Sequence, residues 1–201
     1  MYQRLDIETR MYSVLRTGLK SSSIVLLMIS LTCTCCLAQK TQTEVLRSVN
    51  PNEDAKANSS EIPDVIVQSG DFERILVLRF KHDADLLESM KKAVKTEKIK
   101  NAVILSGIGS SRGYHYHVVS NRDFPSKNYF IRDPSHPADI CSISGYIVDG
   151  RVHAHITFSD DEKAFGGHLE PDTKVFTFAI VTIGVLSDKI DLLRADDKTY
   201  R

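Results

Sequence analysis

The chain has 201 residues, of which 26 are Lys or Arg and 26 are Asp or Glu, so its formal net charge is +0 at pH 7. This balance weighs against a protein whose main task is to neutralise nucleic-acid phosphates, because such a protein needs a basic face. Once the segments assigned below to export and to a linker are removed, about 130 residues remain, enough for one hydrophobic core and too few for two.

The first 38 residues have the three-part pattern of a secretory signal peptide. Arg16 and Lys20 precede an apolar core at residues 24–29, and small or neutral residues surround a candidate cleavage site after Ala38. This order predicts export, to the periplasm or out of the cell. The apolar run is shorter than the about 20 residues of a membrane span, so we expect no stable span in the mature chain, with an uncleaved anchor as the alternative.

Two features of the signal segment leave further alternatives open. Cys33, Cys35 and Cys36 would allow a lipoprotein, although no typical lipid-attachment triplet precedes any of them. Translation from Met11 instead of Met1 would give a more usual signal-peptide length.

Cleavage after Ala38 would leave a slightly acidic chain with one cysteine. The removed segment holds four of the 26 basic and two of the 26 acidic residues, which leaves 22 against 24, a net charge of −2. The remaining cysteine, Cys141, cannot form an internal disulfide, and we predict that it is buried on a strand. The fold must therefore be stabilised by its core, by oligomerisation or by a metal.

The mature chain divides into three predicted parts. Residues 39–63 are polar and show no sustained periodicity, which is typical of a linker that cannot bury enough surface to fold. Residues 64–193 form the predicted domain, and residues 194–201 a tail.

The domain is predicted to begin with strands and one helix. Residues 65–67 and 72–80 favour strands, and Asp83 is the predicted N-cap of a helix. An apolar stripe at helical spacing follows the cap, and it consists of Leu86, Leu87, Met90, Ala93 and Val94.

The rest of the domain is predicted to be β. Asp149-Gly150 is a hairpin turn signal, and residues 188–193 could add a short edge strand. The other predicted strands are residues 101–108, 114–119, 140–148, 152–158 and 174–186. The sum is an α+β domain, in which a largely antiparallel twisted sheet of six or seven strands packs with one or two helices.

Three histidines form the candidate metal site. His153 and His155 alternate with apolar residues, so they lie on one face of a half-buried strand, opposite the core. His168 follows an acidic loop and the pair Gly166-Gly167, which we expect to turn the backbone tightly. Imidazoles favour zinc, whereas Ca²⁺ and Mg²⁺ prefer oxygen ligands. Zinc or another divalent metal is thus the predicted cofactor, with packing at a subunit interface as the alternative.

A glycine-rich stretch after the 101–108 strand is a candidate ligand loop. Its backbone N–H groups could hold an anion, or the glycines could simply shape a turn. The predicted ligand-binding residues are Gly107, Gly109 and Ser110, together with Gly166 and Gly167. His115 and His117, one pleat apart on the next strand, are second-rank candidates for a second metal site.

Four blocks of sequence occur in a specific order: Gly107-Ile-Gly-Ser110, Cys141-Ser-Ile-Ser-Gly145, His153-Ala-His155 and Gly166-Gly-His-Leu169. Together they resemble the plants-and-prokaryotes-conserved (PPC) domain family, also classified as a domain of unknown function. The resemblance covers roughly residues 64–193. It implies an α/β domain that assembles as a homotrimer, with the three histidines as its metal-binding set.

The same resemblance implies DNA binding, because plant members of the family pair this domain with a separate Arg-Gly-Arg-Pro element that enters the minor groove. This chain has no Arg-Gly-Arg sequence and begins with a predicted export signal. A basic cluster of Lys98, Lys100, Arg112, Arg122 and Lys127 on one surface would support nucleic-acid binding.

Three functions therefore remain as hypotheses. The first is an exported trimeric module that binds a metal or a small ligand. The second is a DNA-binding protein. The third is a metal-dependent enzyme of unknown substrate, in which a nearby carboxylate acts as general base. The acidic candidates are Asp160, Asp161, Glu162 and Glu170.

Overall fold

The computed structural model describes residues 39–46 and 63–195, together with residues 52, 60 and 61. The predicted signal peptide, most of the predicted linker and residues 196–201 of the predicted tail lie outside the described residues. No helix in the part of the chain that is described is long and apolar enough to cross a membrane.

The described residues form one antiparallel sheet with two helices. Its strand order is β1-β5-β4-β8-β7-β6-β3-β9-β2. The nine strands are β1 (Thr41–Leu46), β2 (Phe72–Phe80), β3 (Ala102–Ser111), β4 (Tyr114–Val119), β5 (Lys127–Asp133), β6 (Ala138–Val148), β7 (Arg151–Ser159), β8 (Ala164–Leu169) and β9 (Val175–Leu186), and the helices are α1 (Leu86–Thr96) and α2 (Leu192–Ala195).

The predicted sheet of six or seven strands was too small, since the described residues contain nine. β1 lies within the predicted linker and pairs with β5 at the edge of the sheet. Its mostly polar side chains show no apolar pattern from which a strand could be predicted. β5 and β8 were also missed, because neither has a clear alternation of apolar and polar residues.

Two predicted strands are not strands in the structure. Residues 65–67 have no regular structure, and Val67 is 83% exposed. Residues 188–193 lead into α2 instead of forming an edge strand. Neither stretch has a sheet neighbour, and periodicity alone cannot distinguish such short segments from strands.

The core lies on one face of the sheet, as the alternation along β7 predicted. Ala154 and Phe158 are 0% exposed, whereas His153 and His155, which flank Ala154, are exposed on the other face. Burying an aromatic ring such as Phe158 contributes about 1.5–3 kcal/mol. The ring packs with others in an aromatic cluster that comprises Tyr114, Tyr116, Phe158 and Phe165.

Helix α1 begins at a different cap from the one predicted. Asp85, not Asp83, is the N-cap, and its Oδ1 accepts from the backbone N–H of Glu88 at 3.0 Å. The other oxygen of Asp85 accepts from the N–H of Asp172 at 2.8 Å and from Nζ of Lys174 at 3.2 Å. One carboxylate therefore caps α1 and ties it to the loop between β8 and β9. The predicted apolar stripe is confirmed, because Leu86, Leu87, Met90 and Val94 are buried.

The predicted hairpin between β6 and β7 is confirmed. Asp149 and Gly150 have φ angles of 48° and 74°, the two positive values that a type I′ turn requires. Val148 pairs with Arg151 across this turn. The turn thereby fixes the β6–β7 register and the face on which the histidines of β7 lie.

Gly166 and Gly167 do not form the predicted turn, because they lie inside strand β8. Residues 160–163, three acids and a lysine, make the connection instead. A Cβ on Gly166 would lie 2.0 Å from the carbonyl oxygen of Ile156, and one on Gly167 2.3 Å from that of His117. The missing side chains therefore let β8 approach both of its neighbours closely.

We expect Gly167→Ala to lower the free energy of unfolding by about 1–3 kcal/mol, since the added methyl group must push β8 away from β4. Denaturant unfolding followed by circular dichroism measures the change. Ala164→Ser, at an exposed position of the same strand, is the control and should stay within about 0.5 kcal/mol of the wild type. An unchanged midpoint for Gly167→Ala would contradict the close-approach role.

Candidate metal centre

Four histidines lie together on the outer face of the sheet, opposite the aromatic cluster. His117 on β4 pairs with His168 on β8, and His168 pairs with His155 on β7. Directly paired residues of neighbouring strands have their side chains on the same face. His153 lies one pleat away from His155 on that face. The fold thus brings together four imidazoles from three strands.

The three predicted metal ligands converge. One ring nitrogen from each of His153, His155 and His168 lies within 4.8 Å of those of the other two. The ring of His168 is nearly perpendicular to the other two, at 83° and 89°. Ligand nitrogens around a tetrahedral zinc lie about 3.3 Å apart. Modest side-chain adjustment brings three imidazoles to that spacing, so the donor set fits a zinc-type cation.

The electrostatics of this cluster favour the neutral forms of His155 and His168. Burial, followed by the neighbouring His117 and His153, lowers the pKa of His168 to about 4. Burial, followed by His153 and His117, also lowers the pKa of His155. A neutral imidazole has the free lone pair that a metal requires.

His117, a second-rank candidate, belongs to a second group with His168 and Glu170, whose ligand atoms lie within 4.8 Å of one another. The Nδ1–H of His117 donates to Oε1 of Glu170 at 2.7 Å, and the two side chains are 13% and 11% exposed. The ring of His117 lies between those of Phe130, at 4.9 Å, and His168, at 4.5 Å. The sequence offered four acidic candidates, and their spacing gave no reason to choose Glu170 over the other three as the partner of a histidine.

His115, the other second-rank candidate, belongs to neither group of potential metal ligands among the described residues. Its Nδ1–H donates to the carbonyl oxygen of Pro171 at 2.8 Å. His115 therefore anchors the loop that follows β8 and does not join the other histidines.

The glycine-rich stretch after residue 106 is not a loop. Gly107, Gly109 and Ser110 continue strand β3 and pair with β9 or β6. The hydroxyls of Ser110 and Thr177 share a hydrogen bond of 2.6 Å. Within a ladder, backbone N–H groups are committed to neighbouring strands, so the predicted anion-binding loop does not form. A ligand role for these residues stays a prediction, as it does for Gly166 and Gly167.

Cys141 is exposed, contrary to the predicted buried position. The β6–β7 register shifts between Ile140 and Ser142. Such an irregularity moves a side chain from the face that simple alternation assigns. The thiol donates to the hydroxyl of Ser159 at 3.2 Å.

An apolar cavity of about 500 Å³ lies next to His153. Its floor is the outer sheet face, and its roof consists of the segments before β2 and after β9. Gln68 joins these segments, because its side chain bonds both the N–H and the carbonyl oxygen of Asp191. The cavity is lined by Ile66, Gln68, Val103, Tyr146, Val148, His153, Leu186, Ile190, Leu192 and Ala195.

The lowered pKa of His168 predicts lower stability in acid. The unfolded chain binds a proton at His168 near pH 6.5, whereas the folded chain binds it near pH 4. The stabilisation is thus complete above about pH 6.5 and is lost as the pH falls towards 4. We expect metal-free protein to unfold at lower denaturant concentration at pH 5 than at pH 7.5, and His168→Asn to reduce that difference. An equal difference in the variant would contradict this assignment.

Solved structures of other proteins share the fold of this chain. A metal-containing protein from Archaeoglobus fulgidus superimposes with a TM-score of 0.50 at 23% identity, over 61% of this chain and 86% of that one. A plant- and prokaryote-conserved (PPC) protein from Pyrococcus horikoshii gives 0.51 at 23% identity, over 63% and 89%. At these identities the likeness establishes the fold.

A third solved structure, from Ralstonia eutropha, is provisionally named a DNA-binding protein; it gives a TM-score of 0.44 at 21% identity, over 57% of this chain and 80% of that one. No curated protein matches the sequence. The family match is direct, since the Plants and Prokaryotes Conserved (PCC) domain covers residues 67–187. The four sequence blocks, the antiparallel sheet and this match lead to one conclusion: the chain belongs to the Plants and Prokaryotes Conserved (PCC) domain family.

Proposed function

We propose that this protein binds zinc or another divalent cation through His153, His155 and His168 and uses the site to hold a small ligand. The observation that carries the proposal is that one nitrogen from each imidazole lies within 4.8 Å of the other two. Three imidazoles leave room for a fourth ligand on zinc. The cation would supply positive charge that attracts an anionic or carbonyl group of that ligand.

The surroundings of the histidines support the ligand part of the proposal. The cavity beside His153 is mostly apolar, with Tyr146 and Gln68 among its polar groups. Its volume of about 500 Å³ lies in the range of pockets that enclose small molecules. His153 borders both the cavity and the imidazole cluster, so a ligand could place an apolar body in the cavity and a polar group near the histidines.

Nucleic-acid binding has less support. Two of the five basic residues considered for it are paired with acids: Arg112 lies 2.6 Å from Asp83, and Lys127 lies 3.9 Å from Glu44. Neutralised cations contribute less to phosphate binding. The predicted export of the chain also separates it from DNA.

We further propose that copies of this chain assemble as a homotrimer through the apolar part of the outer face. Ile75 and Val77 on β2 are 53% and 66% exposed, and Ile108 on β3 is 56% exposed. The strand registers place them on the histidine face, next to Phe178, which is 38% exposed. Monomeric proteins rarely expose such a contiguous apolar surface. The count of three comes from the family resemblance.

Elemental analysis of the protein without its first 38 residues tests the metal site. We expect near one tightly bound zinc per chain, and zinc titration should show that His155→Ala weakens this binding at least about tenfold, because two imidazoles hold a cation poorly. His82→Ala, at an exposed histidine outside the cluster, is the matched control and should retain the metal. Metal-free wild-type protein, or a zinc affinity that His155→Ala leaves unchanged, would refute the proposed site.

The mass in solution tests the assembly. We expect Val77→Asp to shift the protein from three copies to one, because burying an unpaired carboxylate in an apolar interface is costly. Val67→Asp makes the same exchange at a position that is exposed outside the sheet, so it should leave the mass unchanged. A monomeric wild type would exclude the trimer, and a trimeric Val77→Asp would exclude this face as its interface.

A further inference from the structure

We propose that His117, Glu170 and His168 form a second divalent-cation position, which adjoins the three-histidine cluster and shares His168 with it. This goes beyond the function proposed above. It rests on residues of β4, β8 and the loop after β8, and it does not require His153 or His155.

The second position is already assembled in the structure. One ligand atom from each of the three residues lies within 4.8 Å of the others. Nδ1 of His117 and Oε1 of Glu170 are 2.7 Å apart and share a proton. A zinc ion binds nitrogen and carboxylate oxygen at about 2.0–2.2 Å. If the two atoms separate by about half an ångström, a cation can therefore replace the shared proton, and His117 stays neutral by carrying its proton on Nε2 instead.

The second position contains a negative charge that the three-histidine cluster lacks. Three neutral imidazoles carry no formal charge, whereas the second position contains the carboxylate of Glu170. The side chains of His117 and Glu170 are 13% and 11% exposed, and limited contact with water strengthens the attraction between a carboxylate and a cation. Two histidines and one carboxylate are an established ligand set for zinc and for non-haem iron.

The backbone around Glu170 is held on both sides. Its N–H donates to the carbonyl oxygen of His115 at 3.0 Å. Thr173, 0% exposed, accepts from the N–H of His115 at 3.0 Å. Asp85 of the α1 cap binds the N–H of Asp172, as described above. These contacts fix the loop against β4 and α1, so the ligands need little ordering when a cation binds.

The shared histidine couples the two positions. A neutral imidazole offers one lone pair, since its second nitrogen carries a proton. His168 therefore serves one cation at a time while it keeps that proton, and a second cation must bind with two ligands from the chain. We expect the second cation to bind at least about tenfold more weakly than the first.

Zinc titration of the metal-free full chain tests the second position directly in the double variant His153→Ala, His155→Ala. We expect this variant to bind near one zinc per chain. Adding Glu170→Gln should weaken that binding by about 10–100-fold or more, because it removes the charged ligand. Adding His82→Ala is the matched control: it removes an exposed imidazole that belongs to neither group of potential ligands and should leave the affinity unchanged.

The outcomes separate the two proposals. A double variant that binds no zinc, or whose affinity is unchanged by Glu170→Gln, would overturn the second position and leave the three-histidine site untouched. Zinc binding that is identical in the wild type and in the double variant would instead overturn the three-histidine site.

If circular dichroism shows that the double variant is unfolded, the single variant Glu170→Gln in the wild-type background tests the second position. The change is nearly isosteric, and we expect it to remove the weaker of two binding events per chain while the stronger event remains. A wild-type titration with one event that Glu170→Gln leaves unchanged would overturn the proposal.

Discussion

The close approach of β8 to both of its neighbours is the constraint on which the histidine cluster depends. Gly166 and Gly167 have no side chains where Cβ atoms would meet the carbonyl oxygens of Ile156 and His117. Only at this spacing can β8 pair with β7 and β4 at once, and this pairing sets His168 between His155 and His117. The distinctive Gly-Gly-His-Leu block therefore combines a packing requirement and a chemical group in four adjacent residues.

The two faces of the central strands perform different tasks. The inner face supplies stability, since Phe158 and Ile156 are almost completely buried among other apolar side chains. The outer face holds the potential metal ligands, and partial burial lowers the pKa of His155 and His168 without removing them from solvent. The strict alternation of β-strand side chains lets one strand, β7, serve both purposes.

The loop between β8 and β9 connects helix α1 to the histidine cluster. Asp85 joins this loop to helix α1, Thr173 joins it to β4, and Glu170 extends from it to His117. A carboxylate that orients a histidine fixes the tautomer and the direction of its free lone pair. The position of α1, although remote in sequence, thus helps to determine how His117 faces the other histidines.

The sequence by itself determined the antiparallel α+β class, the β6–β7 hairpin, the stripe of α1 and the face of β7 that holds His153 and His155. Each follows from local periodicity or turn chemistry, which nearby residues specify. Only the tertiary structure decided that Gly166-Gly167 is strand and not turn, that β1 completes an edge, that Cys141 is exposed, and that His117 joins the cluster with Glu170 while His115 does not. These features depend on which strands become neighbours and in what register, and no local pattern encodes a pairing between residues more than 50 positions apart, such as His117 and His168.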